Sequence, residues 1–199
     1  TTHAIKKSFH IVKKSVSTLN TLFSFGTGLI LLIVITLFIG TFSVLAQDGG
    51  SNSEIVSLSE EVIAYEDTIR KYAKEYDIED YVSLLQAIMM QESGGRGTDP
   101  MQASECPYNT QYPNTPGAIQ DADYSIKVGT QYYADCVRES GCQSPQDMDK
   151  LKLSWQGYNY GNGYISWASE KFGGYSEANA LKFSQEQAAA HGWSASRYR

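Results

Sequence analysis

A chain of 199 residues has room for one ordinary domain and its appendages. Its 22 acidic residues outnumber 16 basic ones, and no basic patch with interleaved aromatics occurs, which argues against nucleic acid as a substrate because an acidic surface repels phosphates. The imbalance sharpens along the chain: Lys6, Lys7, Lys13 and Lys14 all precede the first acid, Asp48, so the part beyond residue 46 holds 12 basic against 22 acidic residues, a balance of −10.

Residues 1–21 form the basic N-terminus. The run 22–46, LFSFGTGLILLIVITLFIGTFSVLA, carries no charge and is long enough to cross a bilayer, so one transmembrane helix is expected here. Lysines before it and acids after it place the N-terminus in the cytoplasm and everything beyond it outside the cell. Val44-Leu45-Ala46 offers the small residues a signal peptidase reads. The apolar run exceeds the usual signal length, so a retained single-pass anchor is favoured over a cleaved, secreted form. A short polar linker, 47–56, opens with QDGGSNS.

The remainder, 57–199, reads as an all-α domain, because no segment alternates at period two. Ser57-Leu58-Ser59-Glu60 fits a capping box, and Val62, Tyr65, Ile69, Tyr72, Ala73 and Tyr76 then recur at helical spacing. A turn over 77–80 leads into an apolar helix over 82–91, which ends at Glu92 before Gly94-Gly95. Residues 93–120 are rich in Gly, Pro, Asn and Thr, and a long aperiodic loop inside a domain is usually functional. Asp121 or Asp123 caps the next helix, which presents Ile126, Gly129, Tyr132, Tyr133, Cys136 and Val137 and ends at Gly141. Ser144-Pro145 is expected to start a helix with the stripe Met148, Leu151, Trp155 and Tyr158. Further helices are expected from about 163 to 172, stopping at Gly173-Gly174, and from Ser176 to near Gly192.

Glu92 is the centre of interest. A carboxylic acid at the C-terminal end of an apolar helix is desolvated and faces the negative end of the helix dipole, and both raise its pKa. An acid kept protonated near neutrality is what glycosidic cleavage requires. The three cysteines, Cys106, Cys136 and Cys142, all lie in the exported part, where one disulfide among them is expected, with the pairing left open. His191 is the sole exported histidine and no metal-ligand spacing exists, so neither a metal nor a cofactor is expected.

Two motifs carry a resemblance: Gln91-Glu92-Ser93-Gly94-Gly95 followed by Asp99-Pro100-Met101-Gln102-Ala103-Ser104-Glu105, and Gln156-Gly157-Tyr158-Asn159-Tyr160-Gly161-Asn162-Gly163. Together, in an all-α setting, they resemble the lysozyme-like superfamily of soluble lytic transglycosylases and goose-type lysozymes. The nearer likeness is to the bacterial goose-type lysozyme domain of CwlT-like cell-wall hydrolases, and it covers about residues 60–191. Such proteins are membrane-anchored and encoded on integrative and conjugative elements of Gram-positive bacteria. The resemblance implies peptidoglycan glycan strands as substrate and components of a conjugative type IV secretion system as partners. It departs in one respect: full-length relatives carry a second, NlpC/P60-type peptidase domain that these 199 residues do not supply, as expected of a truncated chain or of a single-domain relative. A first residue of Thr and an end without a clear stop are consistent with a fragment.

Carried over by position, the resemblance makes Glu92 the catalytic acid, Gln102 a sugar-contacting amide, and Tyr158 with Asn159 the pair beneath the acid. A tyrosine hydroxyl can hold and donate to the carboxyl, and Asn and Gln amides match N-acetyl and hydroxyl groups. For the second carboxylate, Glu105, Asp99 and Asp121 all qualify by position. Glu105 ranks first because goose-type enzymes place an acid at a similar spacing. Asp121 has a competing use as a helix cap, and Asp99 as the start of a turn. Tyr108, Tyr112 and Tyr164, near the motif loops, are candidates for stacking on sugar rings.

The function expected is a muramidase cutting the β-1,4 bond between N-acetylmuramic acid and N-acetylglucosamine. A lytic transglycosylase on the same bond is the nearest alternative, and a non-catalytic wall-binding scaffold is the alternative from another class.

Overall fold

The computed structural model describes residues 58–190, and every helix expected within that range is present, with no strand among the described residues. The basic N-terminus, the expected span 22–46, the linker, Ser57 and His191 lie outside the described residues. No helix within them is long and apolar enough to cross a membrane.

The first expected helix is two. α1 runs Glu60–Ala64 and α2 runs Glu66–Glu75, separated at Tyr65. The cap is Ser59, whose hydroxyl oxygen accepts from the Val62 amide at 3.1 Å and donates to the Gly94 carbonyl at 2.8 Å. One side chain thereby starts α1 and pins it to the glycine bend that follows Glu92. The bend needs its glycine: a Cβ on Gly95 would stand 2.8 Å from the Val62 nitrogen, and its φ of 78° suits no other residue type well. A 3-10 turn, Glu79–Tyr81, then leads into α3, Val82–Glu92. Val82, Leu85, Ile88 and Met89 of α3 are buried, so Glu92 is carried out of the core on the end of an apolar rod.

α4, Ala122–Ser140, is capped by Asp121, which accepts from the Asp123 and Tyr124 amides, and it stops at Gly141 in the left-handed region. α5, Met148–Tyr160, begins later than Ser144-Pro145 suggested. Its cap is Asp147, which accepts from the Lys150 amide, whereas the Ser144 hydroxyl is used two residues on, at the Gln146 amide. A serine that closes its own turn is not available to cap a helix. α6, Gly163–Phe172, ends at Gly173, and α7, Glu177–Ala190, closes the described chain.

α4 packs on both α2 and α5 and forms the centre. Tyr133, wholly buried on α4, shares a hydrogen bond of 3.0 Å with Ser154 of α5. A phenol of this kind contributes apolar area without leaving a polar atom unpaired. Gly157 lets α6 approach α5 closely, since a Cβ there would meet Ile165 Cδ1 at 2.4 Å. Tyr164 of α6 donates to Asn179 of α7 at 2.6 Å.

The disulfide expected from the exported setting is absent: Cys106, Cys136 and Cys142 are free and buried. Each thiol is turned to a different neighbour, Cys106 toward the Val128 carbonyl, Cys136 toward Asn162 and Cys142 toward the Ser144 carbonyl. Burial raises the Cys106 thiol to about 11, which leaves little reactive thiolate near neutrality. Thiol counting should therefore find three thiols after unfolding and almost none reactive in the folded protein. A count of one after unfolding would restore the disulfide.

Candidate active site

Glu92 ends α3 where the chain turns into the loop 93–120. It is half-buried and closely surrounded by protein. Its carboxyl is pushed up to about 8, first by burial and then by the neighbouring negative charge of Asp99. With that value about nine in ten such groups hold their proton at pH 7. The direction is that of a desolvated acid, with a contribution from Asp99 that the helix alone did not announce.

The loop around Glu92 is built by hydrogen bonds between its own residues. The Ser93 hydroxyl donates to the Pro100 carbonyl at 2.8 Å and accepts from the Gly95 amide at 3.0 Å. Asp99, only 4% exposed, accepts from the Ala103 amide at 2.9 Å, the Ser104 amide at 3.2 Å, the Ser104 hydroxyl at 2.5 Å and the Ser125 hydroxyl at 2.6 Å. Both of its oxygens are thus committed inside the turn. Asp121 is the cap of α4, so its carboxylate is committed too. Glu105 lies on an open groove of about 960 Å³, together with Tyr132, Tyr160, Asn162 and Trp167.

The turn sets Gln102 at its exposed tip with φ 48°, a left-handed conformation uncommon outside glycine. Its side-chain Nε2 donates to the Asp99 carbonyl at 3.0 Å. Met101, wholly buried, plugs the turn into the core against Gly129 of α4, where a Cβ would stand 2.8 Å from the Met101 Cβ.

Tyr158 lies under this turn. Its hydroxyl donates to the Met101 carbonyl at 3.0 Å. The expected donation to the Glu92 carboxyl is replaced by support of the turn's backbone. Burial first, and then the charge of nearby Glu92, raise the Tyr158 phenol well above its ordinary value, so it remains a donor. Its ring is held by Tyr132 and Tyr133, with centroids 5.4 and 6.1 Å away. Tyr158→Phe keeps those ring contacts and strips the donor from the Met101 carbonyl. We expect a stability loss of about 1–3 kcal/mol in denaturant unfolding. A loss within a few tenths would mean that the carbonyl is otherwise satisfied.

Asn159 is 8% exposed, and its Oδ1 makes no hydrogen bond among the described residues. This oxygen is enclosed, so a ligand donor reaches it only where the atoms covering it move aside.

The aromatic candidates fare differently. Tyr164 is wholly buried and engaged with Asn179, so it offers no face to a sugar. Tyr108 donates to Asp135, and the Tyr112 ring leans on Tyr124 at 5.6 Å. The rings that line the groove are Tyr132, Tyr160, Trp167 and Phe183. Tyr160 and Trp167 pack around Phe183 at 5.7 and 5.1 Å, an aromatic wall drawn from three helices. Helical spacing gave no sign of it, because the wall forms only when α5, α6 and α7 meet. Among the described residues no cluster of His, Cys, Asp and Glu could hold a metal ion.

Residues 59–197 match the Lysozyme-like family. The chain is similar to the bifunctional muramidase/DL-endopeptidase CwlT of Bacillus subtilis, with 32% identity across 82% of this chain and 47% of that protein. It is also similar to the uncharacterized membrane protein YocA of the same organism, with 30% identity across 64% of this chain and 53% of YocA. Among solved structures, a lipoprotein of the NLP/P60 family from Staphylococcus aureus superposes with a TM-score of 0.58 and 35% identity, covering 67% of this chain and 42% of that one. The chain thus spans about half the length of the curated relatives it matches.

Proposed function

The chain belongs to the lysozyme-like family, and from that premise we propose that its helical domain cleaves the glycan strands of peptidoglycan as a muramidase. The bond cut is the β-1,4 linkage between N-acetylmuramic acid and N-acetylglucosamine. The observation that carries this reading is Glu92, an acid raised to about 8 at the mouth of a hydrogen-bonded loop. Its proton passes to the glycosidic oxygen as the bond to C1 breaks, so the departing sugar leaves as a neutral alcohol. The resulting carboxylate is destabilised by burial and by Asp99, which favours its recapture of a proton from bulk water once the leaving sugar departs.

Glu105 is the base in this proposal, drawing the proton from a water on the opposite face of the sugar. Its place on the groove supports this assignment. The exposed amide of Gln102 would receive donors of the aminosugars, and the enclosed Oδ1 of Asn159 would do so once uncovered. Tyr160 and Trp167 present ring faces to the apolar side of the pyranose. The run 22–46 would hold this domain at the outer face of the membrane, within reach of the wall, and a conjugative secretion apparatus is the partner proposed.

A lytic transglycosylase needs no base for water, since the muramic acid C6 hydroxyl attacks instead. The commitment of two of three neighbouring acids to structure keeps that reading in view. Mass spectrometry of purified wall digested with the full chain decides among these. Muramidase action gives hydrated muramic acid ends, transglycosylation gives ends lighter by one water, about 18 Da, and a binding scaffold gives neither.

A further inference from the structure

We propose that Asn109 is a positioning residue for the groove: its buried side chain ties the stretch that carries Glu105 to the stretch that carries Pro113, and so fixes the loop-side wall on which a glycan strand lies. The proposal rests on the reading of this groove as the seat of the glycan. Residues 105–115 supply Glu105, Pro107, Pro113, Asn114 and Thr115 to the groove, and the rest of its lining comes from α4 to α7 and the bend between α5 and α6. Helices hold their shape by their own backbone bonds. The loop contains no helix or strand, so its shape depends on what its side chains do for its backbone.

Asn109 is 5% exposed, and both ends of its amide are in use. Nδ2 donates to the Ser104 carbonyl at 2.6 Å, the Tyr112 carbonyl at 3.2 Å and the Pro113 carbonyl at 3.4 Å. Its two hydrogens are shared among three oxygens, which places the nitrogen at the centre of the loop. Oδ1 accepts from the Tyr112 amide at 3.1 Å. The carbonyls gathered in this way include that of the residue before Glu105 and that of Pro113, which itself lines the groove. Two successive turns bring Asn109 back over Ser104: the Cys106 amide donates to the Ala103 carbonyl and the Asn109 amide to the Cys106 carbonyl, each at 3.1 Å. The Pro113 carbonyl also accepts from the Thr115 amide at 2.9 Å, which extends the tie to another lining residue.

Attachment of the loop to α4 is a separate matter. The Tyr124 hydroxyl accepts from the Thr110 amide at 3.0 Å and donates to the Tyr108 carbonyl at 3.3 Å, while Tyr108 donates to Asp135. These bonds hold the loop on the helix, whereas Asn109 holds one side of the loop to the other. The position calls for an amide of this length. Aspartate would turn oxygen toward three carbonyls, serine has one donor and a shorter reach, and glutamine carries its amide one methylene further. A wall tied from within is formed before the strand arrives, so binding does not have to order it.

The test places Asn109→Asp, which keeps the size and replaces the donor with an acceptor, in the full chain. Binding is read in the Glu92→Gln background, with peptide-free glycan strands from purified wall as the probe. The Kd should rise by about threefold to tenfold, the loss of one or two contacts. With Glu92 restored, kcat/KM on the same strands should fall by about 10-fold to 10²-fold, because a displaced wall misplaces the strand and Glu105 together. Tyr124→Phe, which removes the ties to α4 and leaves Asn109 alone, should lower the Tm with little change in Kd. If Asn109→Asp does not fold, the Asn109 side-chain amide of Glu92→Gln reports instead, and its NMR signals should move as strands are added. Strands that bind neither background refute the glycan reading of the groove itself. A folded Asn109→Asp that binds as tightly as its parent, or an Asn109 amide signal unmoved at saturation, overturns the proposal alone.

Discussion

Glu92→Gln is expected to lose wall cleavage by a factor at or above the upper end of about 10²–10⁴, the usual contribution of general acid catalysis. Gln keeps the volume and reach of the side chain and has no proton to give the departing oxygen. Peptidoglycan binding, measured by wall pull-down, should be unchanged, because the contacts assigned to Gln102, Asn159 and the aromatic wall remain. Stability responds to pH in a direction that follows from the raised carboxyl. A group whose folded pKa lies above its ordinary value, about 8 against 4.5, stabilises fully below the ordinary value. That contribution is lost as pH climbs toward and through 8. The unaltered protein should therefore weaken between roughly pH 5 and 9 relative to Glu92→Gln, which has nothing to ionise there. Cleavage by the variant at near the parent rate would remove Glu92 from the chemistry.

Gly129→Ala should injure both the fold and the reaction, although alanine is the better helix former by about 0.8–1.0 kcal/mol. The new Cβ would lie 2.8 Å from the Met101 Cβ and 3.1 Å from the Tyr158 hydroxyl. Neither contact is with the loose end of a flexible chain. Overpacking of this kind costs about 1–3 kcal/mol, so the clash outweighs the propensity gain. Relief must come from movement of the 99–104 turn or of Tyr158, and a shift of about 1 Å in a supporting group can cost on the order of 10²-fold in rate. Thermal unfolding should show a lower Tm, and kcat should fall more than KM rises. A variant as stable and as active as the parent would show that the turn has slack at Met101.

Those two residues illustrate what the sequence conveys and what it withholds. The acid was legible because an apolar helix running into Gly94-Gly95 is a local pattern, and desolvation follows from it. The caps at Asp121 and Gly141 were legible for the same reason, since each acts within four residues of itself. Gly129 was legible only as a member of a helical face. Its use, to admit Met101 from a loop 28 positions away in sequence, depends on tertiary contact. Asp99 was read as a possible base or the start of a turn. Its link to Ser125, 26 residues on, decides its role, and no local pattern encodes that pairing.

Tyrosine was the least legible type. With 14 in the chain, an amphipathic ring that suits a core, a hydrogen bond or a sugar face gives no basis for choosing. Thus Tyr164 was expected in the cleft and lies wholly buried, while Tyr132 and Tyr160 line the groove. An oxidising compartment permits a disulfide and does not bring three thiols together. Each is buried against a different partner. The split of the first helix at Tyr65 also escaped the periodic pattern, which is continuous across it.

As the acid of the proposed reaction, the Glu92 carboxyl must be held protonated at neutral pH, ready to donate. Carbon-13 NMR of side-chain carboxyls across a pH series, with the Glu92 resonance identified by its absence in Glu92→Gln, measures this directly. A midpoint near 8 is expected. A midpoint near 4.5, the ordinary value for a solvated glutamate, would leave Glu92 ionised at neutrality and contradict its assignment as the acid.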